Sequence, residues 1–164
     1  MARYNATYIT VTCAALADTT AGTNATYPGT LRGGSATTLA KINEVYIGGE
    51  SASSNPSTMI LGRASVLSVG ALSVGNNALS DVQATAPGTV MSWGNTAATS
   101  GPGRAPTLYL LDLSLNAFGG ISRWQARYGE EITVYGASAN IGEASLTCKT
   151  GTGIVSGHIL YELV

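Results

Sequence analysis

Residues 151–164 read Gly151-Thr152-Gly153-Ile154-Val155-Ser156-Gly157-His158-Ile159-Leu160-Tyr161-Glu162-Leu163-Val164. The two glycines around Thr152 turn the chain. Beyond them the side chains alternate. Val155, Ile159, Tyr161 and Leu163 share one face, and Ser156, His158, Leu160 and Glu162 share the other. A period of two is the signature of a strand with one face buried. Such a strand pins this end of the chain into a sheet, so loss of Tyr161 to Val164 is expected to unfold the domain.

Upstream the same period recurs, broken by turn residues. Leu108 to Leu115 is a strongly apolar strand, and Ala117 to Ala126 a second, interrupted near its start by Gly119-Gly120. Tyr128-Gly129-Glu130 is a turn, Ile132 to Tyr135 a third strand and Ala144 to Lys149 a fourth. At the other end, Tyr4 to Cys13 reads as a strand with Ile9, Val11 and Cys13 on one face. Tyr4, Tyr8, Thr10 and Thr12 fall on the other. Thr38 to Ile47 and Met59 to Val69 are further strands, joined by a loop over Gly48 to Ser57. The Ser-, Gly- and Asn-rich stretch up to Thr107 has room for short strands at Ala71 to Val74 and Val90 to Trp93. Asp18 to Ser35 is polar and rich in Gly and Thr, with turn signals at Tyr27-Pro28-Gly29 and Gly33-Gly34, and reads as a long loop or an arm that reaches a neighbour. No helix-period stretch of useful length interrupts this pattern. The expectation is one all-β domain over residues 1–164, an antiparallel β-sandwich arranged as an eight-stranded jelly roll with long loops.

The chain has 164 residues, enough for one ordinary domain. Charged residues make up only 10% of it, against about 25% in a typical soluble protein. Ser, Thr, Gly, Ala and Asn take their place. With a net charge of −1, the surface repels neighbours weakly, which suits close contact with other subunits. A neutral extracellular module is the other reading of the same composition. The eight Lys and Arg are scattered, so the clustered cations of a nucleic-acid binder are missing. No apolar run approaches a membrane span or the core of a signal peptide, and synthesis in a host cytoplasm is expected. The two cysteines, Cys13 and Cys148, sit in strand-like segments. In a reducing compartment they are expected as buried thiols, although a disulfide joining the two ends is the alternative.

Chemistry is hard to find. His158 is the one histidine, and no Gly-x-Ser-x-Gly elbow accompanies it. One His and two distant Cys cannot make a zinc tetrad, and no spaced acidic loop suggests calcium. Glu130 and Glu131 are adjacent, so an extended backbone points them apart rather than across a sugar. Glu44, Asp112, Glu143 and Glu162 are isolated in sequence. Asp112 lies among leucines, where a carboxylate needs a partner, and Arg123 or Arg127 is the expected one. No phosphate-binding glycine loop is present. Asn5-Ala6-Thr7-Tyr8 recurs as Asn24-Ala25-Thr26-Tyr27, a repeat too short to mark duplicated domains. Trp124, between Arg123 and Arg127, is placed to stack on either. No enzyme activity, cofactor or metal is expected. Tyr27, Leu31, Arg32, Trp93 and Trp124 are the expected contact residues, toward other subunits or a partner.

Phe118-Gly119-Gly120-Ile121-Ser122-Arg123-Trp124-Gln125-Ala126, then Gly129-Glu130-Glu131-Ile132-Thr133-Val134-Tyr135-Gly136, and the closing Gly157-His158-Ile159-Leu160-Tyr161-Glu162, carry a resemblance. This C-terminal third resembles small β-rich virion proteins of tailed bacteriophages, including jelly-roll capsid decoration (cement) proteins. The resemblance implies a non-catalytic protein on the virion surface that binds the major capsid protein, stabilises the head and forms a homotrimer. A carbohydrate- or receptor-binding jelly roll of a virion fibre is the rival reading, and a hydrolase with a dispersed site is a third.

Overall fold

A computed structural model describes residues 3–15, 28–33, 37–64, 77–79, 91–94, 104–135 and 142–164. Eleven strands run in the order β1 (Arg3–Ala14), β2 (Gly29–Gly33), β3 (Leu39–Glu50), β4 (Pro56–Ala64), β5 (Asn77–Leu79), β6 (Met91–Gly94), β7 (Arg104–Asn116), β8 (Phe118–Gln125), β9 (Ile132–Tyr135), β10 (Ala144–Thr150) and β11 (Thr152–Leu163). They form two antiparallel sheets. Sheet A has the order β5-β1-β11-β3-β8, with β9 also paired to β3, and sheet B the order β6-β2-β10-β4-β7. The fold is therefore all-β, and the strands pack as an antiparallel β-sandwich.

The stretch quoted first works as a corner. β10 ends in sheet B and β11 begins in sheet A, with Gly151 alone between them at φ +80°. A Cβ there would strike the Pro56 carbonyl oxygen and Ser57, so both the backbone angle and the space call for glycine. β11 then runs between β1 and β3, with Tyr8 opposite Gly157 and Gly157 opposite Ile47. Its inward residues Val155, Ile159 and Tyr161 are buried, as the alternation predicts.

Between the sheets lies one apolar core. Sheet A contributes Tyr4, Ile42, Ile47 and Tyr161, and sheet B contributes Leu31, Met59, Leu61 and Leu146. The rings of Tyr4 and Tyr161, on neighbouring strands, stack at 5.4 Å. Cys13 and Cys148 are buried thiols and form no disulfide. Burial first, and the neighbouring Cys148 second, push the Cys13 thiol up to about 12, so it is an inert thiol.

Three sequence expectations change. First, strand β1 does not keep one phase. Its register against β11 shifts between Tyr8 and Val11, and Thr10 sits at φ +53°. This bulge adds a residue, so Tyr4, Ala6 and Tyr8 and then Cys13 all point inward, while Ile9, Thr10 and Thr12 are exposed. The expected grouping of Ile9 with Val11 and Cys13 is thus undone. Second, the Asp18–Ser35 segment is not wholly loop or arm. Residues 29–33 form β2, paired with β10 and β6 in sheet B, and Leu31 is completely buried. The remainder, 18–27 and 34–35, lies outside the described residues apart from Pro28. Third, the Gly48–Ser57 loop is shorter, because β3 continues to Glu50 and β4 starts at Pro56. The candidate strand at Ala71 to Val74 also lies outside the described residues.

Candidate functional site

The outer face of sheet A holds the densest set of chemically able side chains among the described residues. Strand register sets them in rows across β1, β11, β3 and β8. Thr7, His158, Tyr46 and Arg123 stand abreast. On one side lies the row Asn5, Leu160, Glu44 and Gln125. On the other side lie Ser156, Gly48 and Ile121, with the bulge of β1 at their end.

Glu44 is the hub. Arg123 donates from Nε to Glu44 Oε1 at 2.9 Å and from Nη2 to Oε2 at 2.8 Å, a bidentate pair. His158 Nε2 lies 3.2 Å from the same Oε1. The Tyr46 and His158 rings stack at 5.3 Å and 15°. The Arg123 hydrogen bonds, with help from His158, hold the Glu44 carboxyl below its ordinary range. The Glu44 side chain is only 9% exposed while Arg123 is 55% exposed. The pair therefore presents a guanidinium to solvent over a nearly buried acid.

Beside this cluster the surface opens into a recess of about 460 Å³. Gly48 leaves its outward position empty, since a Cβ there would meet only ordinary contacts. Ile9 (71% exposed) and Ile121 (65% exposed) line it, and Phe118 (59% exposed) follows on β8, opposite Glu50. Tyr46, Glu50, Ser156 and His158 supply polar edges. The bulge is built into the recess. The Thr10 amide donates to Ser156 Oγ at 2.8 Å, and the Thr10 hydroxyl lies 3.5 Å from Glu50 Oε2. A β-branched residue at positive φ costs on the order of 1–3 kcal/mol, and these contacts hold it in place. Beneath, the Tyr8 hydroxyl donates to the Tyr46 carbonyl at 2.9 Å. Glycine at 157 makes this possible, because a Cβ there would collide with the Tyr46 carbonyl oxygen and the Tyr8 hydroxyl.

The residues expected to make contacts are dispersed. Tyr27 lies outside the described residues. Leu31 is core, and so offers no surface. Arg32 is half-exposed on β2. Trp93 belongs to β6, opposite Leu31, in sheet B. Trp124 is half-buried against the core, opposite Val45. Alternation sends Arg123 to the other side of β8, where its Nε and Nη2 donate to Glu44, so it does not stack on Trp124. Asp112 is exposed on β7 rather than buried among leucines, and Arg123 is committed elsewhere. Glu44, read as isolated, is paired with Arg123, and Glu162, read the same way, lies 3.7 Å from Arg3. No sequence signal joins it to Arg123, which is 79 residues away. Ile9 and Ile121 were equally hidden, because an exposed isoleucine reads like a core one.

What the arrangement can do is bind. Among the described residues no group of three or more His, Cys, Asp or Glu is placed to hold a metal ion. No described helix is long and apolar enough to cross a membrane. No protein-family model, no curated protein and no solved structure matches this chain.

Proposed function

We propose that this chain is a structural virion subunit of the capsid-decoration kind. In this reading it is non-enzymatic, binds the major capsid protein on the outside of a phage head, stabilises the shell and associates with itself. The observation that carries the docking part is the outer face of sheet A, where Phe118 stands exposed on β8, opposite Glu50, next to a recess lined by exposed Ile9 and Ile121. Exposed apolar side chains gathered at one recess mark an interaction surface more than scattered ones do. The guanidinium of Arg123 at the border adds a residue type favoured at interfaces.

Strand order supports the architecture that the resemblance implies. Among the eight strands of five or more residues, β1-β11-β3-β8 faces β2-β10-β4-β7. That order is consistent with the jelly-roll arrangement of capsid and lectin domains, and supports it here as part of the proposal. The capsid assignment itself comes from the C-terminal resemblance.

The test is co-sedimentation of the purified chain with shells assembled from the major capsid protein of the same genome. Saturable binding and a raised shell-disruption temperature are expected. A Phe118→Asp variant is expected to keep its Tm and lose binding. A chain that never sediments with shells overturns the proposal. The lectin reading has its own observation, the stacked Tyr46–His158 pair beside the Glu50 and Ser156 edges. Binding on a glycan array, without shell binding, would establish that reading instead.

A further inference from the structure

We infer that copies of this chain dock head to tail, with Tyr128 of one copy seated in the Ile9–Ile121 recess of the next. The inference rests on the self-association in the reading above and gives the recess to a second copy, leaving the neighbouring exposed surface around Phe118 and Arg123 to meet the shell.

The knob comes first. Tyr128 is fully exposed, at 103% of its reference area. It lies in the turn between β8 and β9, and that turn is well fixed. Gly129 takes φ +86°, the Glu130 amide donates to the Arg127 carbonyl at 2.9 Å, and the Gly129 amide donates to Glu131 Oε1 at 3.1 Å. A tyrosine has only two side-chain torsions to immobilise. On a fixed turn it makes a contact anchor with little entropy to lose.

The hole matches it chemically. The recess is about 460 Å³, within the roughly 300–1,000 Å³ of sites that take small ring-bearing ligands. Ile9 and Ile121 offer apolar walls. Glu50 and Ser156 offer oxygen acceptors for a phenol hydroxyl, so ring and hydroxyl are both satisfied. Gly48 leaves the floor clear.

Charge favours a second copy as the occupant. Arg127 precedes the knob and is exposed, with no ion pair among the described residues. Glu50 borders the hole and is exposed, its carboxylate touched by the Thr10 hydroxyl at 3.5 Å. Seating Tyr128 brings these opposite charges to the same border. With a net charge of −1, copies of the chain repel each other weakly.

The geometry decides the kind of contact. Hole and knob flank opposite ends of β8, whose eight residues span roughly 25 Å at the usual strand rise. Two different patches on one chain make a heterologous contact, which closes into a ring or continues as a filament.

Light scattering coupled to size exclusion, on the full chain over a concentration series, is the experiment. Wild type is expected to associate. Tyr128→Ala removes the knob, and Gly48→Leu plugs the floor without striking backbone. Each variant alone is expected to be monomeric with a wild-type Tm. Mixed in equal amounts they are expected to give a heterodimer and nothing larger, since one lacks a knob and the other a hole. Tyr128→Phe is expected to weaken association by about tenfold at most, the worth of one hydrogen bond. Wild type that stays monomeric, Tyr128→Ala that associates unchanged, or a mixture that yields no heterodimer each overturns the inference. The shell co-sedimentation assay separates the two proposals. Monomeric wild type that still binds shells removes self-docking and leaves the decoration reading, whereas an oligomer that ignores shells does the reverse.

Discussion

The outer faces of the two sheets are built from different residues and meet different fates. On sheet A the outer face carries Glu44, Tyr46, Ile121, Arg123 and His158, with a recess and exposed apolar side chains. On sheet B the corresponding positions carry Thr30, Ile60, Ser145 and Thr147, and all four are buried. Thr30 and Ser145 satisfy each other there, hydroxyl to hydroxyl at 2.8 Å. The Thr30–Ser145 pair thus belongs to the protein's interior, although Asp112 and Ser114 on β7 are exposed at the edge of the same face, whereas sheet A keeps its reactive and apolar groups at the surface. Burial on both faces commits the middle of sheet B to stability, and one-sided burial leaves sheet A free to bind.

This contrast is open to attack by substitution. The inner side of sheet A is the reference, and it should give the largest effect. Tyr161→Ala removes a fully buried ring and its stack with Tyr4. A loss of about 3–5 kcal/mol in urea-unfolding free energy is expected. A loss under a third of that would mean the core is not centred there.

Gly157→Ala comes next. The new methyl would push into the Tyr8 hydroxyl and the Tyr46 backbone, so about 1–3 kcal/mol is expected from overpacking. Because Tyr46 lies above, this variant is also expected to disturb the recess, which shell or self-association assays would register.

On sheet B, Thr30→Val leaves the buried Ser145 hydroxyl without its partner, a cost of about 1–3 kcal/mol. Adding Ser145→Ala is expected to restore most of that loss. A double-mutant cycle with no coupling would show that the hydroxyl pair contributes nothing.

The smallest effects belong to the outer face of sheet A. Ile121→Ser is expected to change stability by no more than about 0.5 kcal/mol while reducing association. Glu44→Gln is expected to act through pH. The Arg123 hydrogen bonds lower the Glu44 carboxyl. The folded chain therefore holds that proton less tightly than the unfolded chain does. The resulting stabilisation is present above the unfolded carboxylate pKa of about 4.3 and is lost as pH falls through the lower folded value. Urea unfolding at a series of pH values should show wild type ahead of Glu44→Gln near neutrality, with the gap closing in acid. A gap that widened in acid would reverse the sign and discredit the Arg123–Glu44 account.

Much of the fold was legible because period-two alternation is a direct record of burial. β9 and the inward set of β11 follow from it, and β10 needs only Thr150 added. The misreadings have particular causes. A bulge at Thr10 changes the phase of β1, and no local residue announces it. A second irregularity near Asn43 lets Ile42 and Val45 both point inward from β3. β2 is five residues bounded by glycines and buried on both faces apart from Arg32, so its sequence looks like the loop around it. The candidate site was the least legible part. Its members come from four strands, and the pairing that brings Glu44 to Arg123 and His158 exists only once sheet A is assembled.

That assembly has an order in time. β11 is the last of these strands to be synthesised, yet it lies in the middle of sheet A, between β1 and β3. Until it emerges from the ribosome, β1 and β3 each present an unpaired edge to the cell. Part of the recess is missing too, because Ser156, Gly157 and His158 arrive with β11. A nascent chain can fold sheet B in part, but it cannot display its binding face. Docking is thereby coupled to synthesis of β11, and a product truncated before it carries exposed edges in place of a site.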